Sequence, residues 1–150
     1  MKELIYHRLL LPAVAQNADR PCATNSGTGV TTTYAEHLDR TLRLTGGLSA
    51  ELGLSRTDRV AVMSTNSHQY LELYHACFLG AAVVNPLNLR LAGKALDYII
   101  RDSGTEVVFV DCFFGGAIAA AMAQSDAGPS PLRHVVLMGD PVDPANVPTH

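Results

Sequence analysis

The spacing of apolar and polar positions changes several times along the chain, and each change marks an element. Leu4 to Ala18 carries apolar residues at helical intervals and stops at Asp19-Arg20-Pro21, which predicts a helix. Two short segments, Cys22-Ala23-Thr24-Asn25 and Val30-Thr31-Thr32-Thr33-Tyr34, are rich in small and β-branched residues. They flank Ser26-Gly27-Thr28-Gly29 and predict a hairpin. From Tyr34 to Leu52 the helical period returns, with Leu38, Leu42, Thr45, Leu48 and Leu52 on one arc. Glu36, Asp39, Arg40, Arg43 and Glu51 occupy the other side, so Leu42 and Leu52 are expected in the core. Gly53 stands where a helix takes a C-terminal glycine cap.

Beyond Asp58 the chain alternates in type. Strands are expected at Arg59–Met63, Ala82–Val84 (stopped by Pro86), Glu106–Val110 and His134–Met138, and helices at His68–Leu79, Ala92–Arg101 and Phe113–Gln124. Continuous apolar strands separated by short helices are the signature of βαβ units, so the fold class is α/β, a mainly parallel sheet covered by helices. Residues 1–138 read as one partial domain. The tail 139–150, with Pro141, Pro144 and Pro148 and no periodicity, reads as a linker.

Composition narrows the classes. With 150 residues there is room for one ordinary domain, and 47% hydrophobic against 17% charged residues excludes global disorder. A net charge of -3 argues against a nucleic-acid grip, which needs a clustered basic face. Lysine occurs only at Lys2 and Lys94 against nine arginines, a bias that points to a GC-rich bacterial genome. Cys22, Cys77 and Cys112 are far apart and odd in number, so neither a disulfide framework nor a zinc site is indicated. The longest apolar run, Phe113 to Ala123, is shorter than the roughly 20 residues of a membrane span. No cleavage site follows the start, so a cytoplasmic protein is expected.

Candidate chemistry is sparse. Ser26-Gly27-Thr28-Gly29 could cradle an oxyanion, but it lacks the lysine and following helix of a phosphate loop, which leaves a hairpin turn. Asp111 with Gly115-Gly116 follows a strand and opens a helix, without the glycine spacing that admits a pyrophosphate. Asn66, Ser67 and His68 lie at the carboxyl end of a strand, where open α/β sheets bind ligands, although Asn66 or Ser67 also suits a helix cap. His68 and His75 share one helix with no carboxylate placed to complete a metal set, and no G-x-S-x-G elbow exists.

Several ordered blocks carry a resemblance. They are Thr32-Thr-Tyr-Ala-Glu36, Asp58-Arg-Val-Ala-Val-Met-Ser-Thr-Asn-Ser67, Phe78 through Leu91, Leu96 through Gly104 and Val107-Val-Phe-Val-Asp111. Thr33, Tyr34 and Glu36 match an L-[TS]-Y-x-E-L block, and Leu79, Gly80, Ala81, Pro86, Leu87 and Asn88 match L-K-A-G-A-x-x-x-P-L-N. From Arg20 to Asp111 the chain thus resembles the amino-terminal portion of AMP-forming acyl-CoA synthetases, the adenylate-forming superfamily. His37 departs from the usual leucine, Gly80 comes one residue early, and Ala92-Gly93 replaces a Thr-Pro helix start. These are structural positions with small expected effects on packing.

The resemblance implies a large amino-terminal domain of which this is part. It also implies a parent that joins a carboxylic acid, fatty or aryl, to ATP as an acyl-adenylate and then to CoA, with Mg2+ shielding the phosphates. The family's T-S-G-T-T-G-x-P-K-G loop, its adenine-side aromatic block, ribose-binding aspartate, hinge and carboxyl-terminal lysine have no counterpart here. No residue matches a catalytic, cofactor-binding or metal-binding position, so none is assigned. The chain is expected to be a fragment, inactive alone and without cofactors of its own, that self-associates through apolar surface its parent would cover. The alternatives are a free-standing non-catalytic α/β binding or interaction module and a Rossmann-type oxidoreductase. The reading frame after His150 separates the first alternative, and NAD(P) titration the second.

Overall fold

The computed structural model describes residues 6–26, 29–123 and 125–139. The chain divides into two compact units, one formed by the segments up to Thr57 and Asn66–Val83, the other by Asp58–Thr65 and the chain from Val84 on.

In the first unit, α1 (Tyr6–Asn17) buries Leu10 and Val14, one turn apart. The start expected at Leu4 lies outside the described residues. Strands β1 (Pro21–Thr24) and β2 (Thr31–Thr33) pair antiparallel, with a register shift between Pro21 and Ala23. Asn25 N–H donates to Val30 O and Gly29 N–H to Asn25 O, each at 2.8 Å, closing the expected hairpin. Helix α2 (Tyr34–Ala50) opens on a reciprocal cap: Glu36 N–H donates to Thr33 Oγ1 at 3.2 Å and Thr33 N–H to Glu36 Oε2 at 2.8 Å. The Thr and Glu of the first family-like block are therefore a helix-starting device. At the other end Gly53 has φ +65, and Leu54 N–H reaches back to Leu48 O at 3.0 Å, the bond of a glycine-terminated helix.

The phase expected for α2 holds at Leu48, which is buried, and fails at Leu42. Its buried residues are His37, Thr41 and Leu48, whereas Leu42 is 50% exposed and Leu52, past the helix end, is half-buried. Weighting leucines placed the buried stripe too far round, because the facing helix offers polar partners to His37. That helix, α3 (His68–Phe78), has Ser67 as N-cap, with Tyr70 N–H donating to Ser67 Oγ at 3.1 Å, and buries Glu72, Leu73, Ala76 and Cys77.

The second unit is built on a sheet of strands β3 (Arg59–Met63), β4 (Val83–Pro86), β5 (Val107–Asp111) and β6 (His134–Met138), in the spatial order β4-β3-β5-β6. β3 runs parallel to β5 and β5 to β6, in the registers Val60↔Val107 and Val107↔His134. β4 begins at Val83 rather than Ala82 and ends at Pro86 as expected, the proline being its last residue, which an edge strand tolerates. Val60–Met63 and Val107–Val110 are buried at every position, as in a sheet covered on both faces. On one face Ala61, Met63, Val108 and Val110 pack with Leu96 and Ile100 of α4 (Gly93–Asp102) and Ile118 and Ala121 of α5 (Gly115–Ala123).

Two local details complete the second unit. The helix expected from Phe113 starts as a 3-10 turn, Cys112–Phe114, before α5. The Gly128-Pro129 segment is pinned, since Arg101 donates to Gly128 O at 2.9 Å, Pro129 O at 3.0 Å and Asp97 Oδ1 at 2.8 Å. The linker reading of the tail beyond Gly139 falls outside the described residues.

Candidate functional site

The first unit holds two adjacent clefts with polar walls. Its hairpin and the start of α3 border a cleft of about 320 Å³ lined by Ala23, Asn25, Val30, Thr32, Glu36, Asp39, Arg40 and His68. A neighbouring cleft of about 250 Å³ adds Ser26, Asn66 and Ser67. Helical spacing carries Glu36 and Arg40 to the same side of α2, and the hairpin supplies the opposite wall.

Each charge in this cleft is already used. The Glu36 carboxylate serves the helix cap, which holds its pKa below the ordinary value chiefly through the Thr33 amide. Arg40 donates from Nε to Glu72 Oε1 at 2.6 Å and from a terminal nitrogen to Oε2 at 3.3 Å, a forked pair whose carboxylate side chain is 7% exposed. Asp39 pairs with Arg43 at 2.9 Å.

Beside the Arg40–Glu72 pair lies a contact the sequence did not announce. His37 Nε2 and His75 Nδ1 are 2.6 Å apart, their rings meeting edge-on with centroids at 4.8 Å, and Thr41 Oγ1 lies 3.5 Å from His37 Nε2. Burial, then the neighbouring His37, pushes His75 down to about 4, and burial also lowers His37. Both rings are neutral at pH 7, which suits packing better than proton transfer. In the sequence His37 stands where the family pattern has a leucine, and His75 has no ligand partner on its own helix. The missing signal was cross-helix: buried polar residues on two facing stripes.

An apolar groove of about 330 Å³ runs along α3, lined by Asn66, Ser67, Tyr70, Leu71, Tyr74, His75 and Phe78. Tyr70 stacks on Tyr74 with centroids at 4.7 Å and donates its hydroxyl to that of Tyr74 at 2.9 Å, while burial helps raise Tyr74 to about 12. Tyr74 therefore stays a phenol.

The remaining sequence candidates resolve locally. Ser67 is the α3 cap, Asn66 and His68 line the clefts, and Ser26 and Gly29 belong to the hairpin turn, whose Gly27 and Thr28 lie outside the described residues. In the second unit Asp111 accepts from Phe113 N–H at 3.1 Å and from Thr65 Oγ1 at 3.3 Å. A Cβ on Gly115 would lie 3.4 Å from Leu137 Cδ2, an ordinary van der Waals contact, so the glycine sits beside the β6 side chain without being required there. Gly116 opens the same helix with nothing near its missing Cβ. Lys94 is held by Asp126 at 2.9 Å, and among the described residues no three His, Cys, Asp or Glu side chains gather as a metal site.

Comparison with known proteins gives the family. The profile of the AMP-binding enzyme family matches residues 11–148. Feruloyl-CoA synthase from Amycolatopsis sp is 44% identical over 80 residues, 53% of this chain and 16% of that protein. Long-chain-fatty-acid–CoA ligase FadD13 from Mycobacterium tuberculosis is 35% identical over 99 residues, 66% of this chain and 20% of that protein. The inhibitor-bound N-terminal domain of FACL13 from Mycobacterium tuberculosis superposes with a TM-score of 0.79 at 26% identity, covering 87% of this chain and 32% of that one. The chain spans a fifth or less of the length of these two curated relatives. No helix among the described residues is long and apolar enough to cross a membrane. The match along most of its length, together with the shared fold, makes the chain a member of the AMP-binding enzyme family.

Proposed function

We propose that these residues form the opening part of an ATP-dependent acid–CoA ligase, which activates a fatty or aryl carboxylic acid as its adenylate and passes the acyl group to CoA. The family match over residues 11–148 carries this reading, and the feruloyl and long-chain fatty acid relatives bracket the substrate class. Within that protein the two units serve as scaffold. Every charged side chain named in the cleft is committed to a cap or an ion pair, and the histidine pair is neutral. None is poised to hold a phosphate or move a proton, so no residue of this chain is assigned a catalytic role. Magnesium, ATP and CoA are cofactors of the whole protein in this reading, and the setting is the cytoplasm.

ATP–pyrophosphate exchange with a panel of fatty and aromatic acids tests the proposal. The 150-residue chain stays at background, and the protein extended through its natural reading frame exchanges. Exchange by the chain alone would show that the active site has been misplaced. An extended protein that exchanges with no acid, or a stop codon after His150, would favour a non-catalytic binding module.

A further inference from the structure

Buried polar side chains divide unequally between the two units. The first buries His37, Thr41 and Glu72, the second Ser64, Asp97 and Thr105. His37 is 1% exposed and meets His75 at 2.6 Å, so α2 and α3 are joined by one imidazole that must donate and another that must accept. A first proton places a charge out of water, and a second turns two N–H groups toward each other. In the second unit the buried titratable group is Asp97, whose carboxylate accepts from Ser125 Oγ at 2.6 Å and from Arg101 Nε at 2.8 Å. His134, that unit's described histidine, is exposed.

We infer that acid opens the α2–α3 contact of the first unit by charging the His37–His75 pair, while the sheet of the second unit keeps its structure.

The groups around the pair come from four elements. Tyr6 of α1 has its ring 5.2 Å from that of His75; burial, then Cys22 of β1, raises it above 10.0, and burial raises Cys22 above 9.0. Neither carries charge in acid. Arg40 of α2 and Glu72 of α3 are charged and bound to each other at 2.6 Å. Burial is the largest effect on His37 and disfavours its proton; Glu72 favours that proton and Arg40 opposes it. The carboxylate beside the pair is therefore already held by a cation.

Burial and then His37 hold His75 down to about 4, against 6.5 in the unfolded chain. The stability this gives is complete above 6.5 and is lost as pH falls toward 4. Asp97 is also held low, by Ser125 and then Arg101, but from 3.8, so its contribution is lost only below that value. The window from 6.5 to 4 thus acts on the buried groups of the first unit.

Amide hydrogen exchange of the 150-residue chain at pH 7 and pH 4.5, corrected for the intrinsic rate at each pH, reads the elements separately. A histidine titrating at about 4 folded and 6.5 unfolded lowers the folding constant by up to about a hundredfold at pH 4.5. Since His75 is only half-buried, protection in Tyr34–Ala50 and His68–Phe78 is expected to fall at least about tenfold, and in Val60–Met63 and Val107–Val110 by less than about threefold. The ring resonances of His37 and His75 should move at the same midpoint as the helix amides. The double variant His37→Leu/His75→Phe removes both ionisable rings together, leaves neither unpaired, and should keep helix protection at pH 4.5. Equal loss in helices and strands, ring titration without helix opening, or helix amides unprotected already at pH 7 overturns the proposal. So does selective helix loss that persists in the double variant, which would assign it to the Arg40–Glu72 pair.

Discussion

His37 on α2 and His75 on α3 share one hydrogen bond, Nε2 to Nδ1 at 2.6 Å, across the helix pair. One ring donates and the other accepts, and two protonated rings could not keep the bond. Around it stand Tyr6 of α1, whose ring lies 5.2 Å from that of His75, Thr41 and Arg40 of α2, and Glu72 of α3. The pair thus ties neutral imidazoles to the α2–α3 contact.

Stability should therefore fall in acid. The unfolded chain takes up protons on these histidines near their ordinary value of 6.5, while the folded chain resists until His75 titrates at about 4. A depressed pKa contributes stability that is present above 6.5 and lost as pH falls toward 4. Urea unfolding from pH 7.5 to 4 should show that decline. His75→Phe, which keeps an aromatic ring beside Tyr6 and Phe78, should make it shallower. An unchanged slope in the variant would place the acid sensitivity elsewhere.

The Arg40–Glu72 pair is half in water on one side and buried on the other, with side chains 49% and 7% exposed. Removing the cation leaves Glu72 without its partner, while solvent at Arg40 discounts the full cost of breaking a buried pair. Arg40→Met is expected to cost about 2 kcal/mol, and Arg43→Met, at the exposed Asp39 pair, about 0–1 kcal/mol. Equal losses on denaturant unfolding would contradict this ranking.

On α2, Leu48 is 1% exposed and Leu42 is 50% exposed. Leu48→Ala should cost about 2–5 kcal/mol through lost burial and the cavity left behind. Leu42→Asp should leave soluble expression intact and cost about 1 kcal/mol or less, the reverse of what the sequence pattern led one to expect. Insoluble Leu42→Asp protein would restore the sequence-derived phase.

Helix α4 starts without help. Its N-cap is Ala92, with no side-chain bond, and Gly93 sits at φ +51 where the family pattern has Thr-Pro. Ala92→Ser should add about 0.5–1 kcal/mol by capping a free amide, and Gly93→Ala should cost about 1 kcal/mol because a Cβ is strained there. Thermal melts moving in opposite directions would bear this out, and parallel shifts would not.

Periodicity alone located the βα elements of the second unit, because buried parallel strands need unbroken apolar runs and their helices need glycine or proline boundaries. The His134–Met138 strand is found with its expected limits, as is Arg59–Met63. The ordered blocks also identified the family, since they coincide with local devices such as the Thr33–Glu36 cap that a chain of this fold requires. Tertiary structure decided the rest. Leu42 and His37 are near neighbours in sequence, and hydropathy ranks leucine as the inner residue. The opposite result follows because α3 presents His75 and Glu72 to that stripe, and a polar side chain can be buried only where another element supplies its partner. That partner lies about 30–40 residues away, beyond any local pattern.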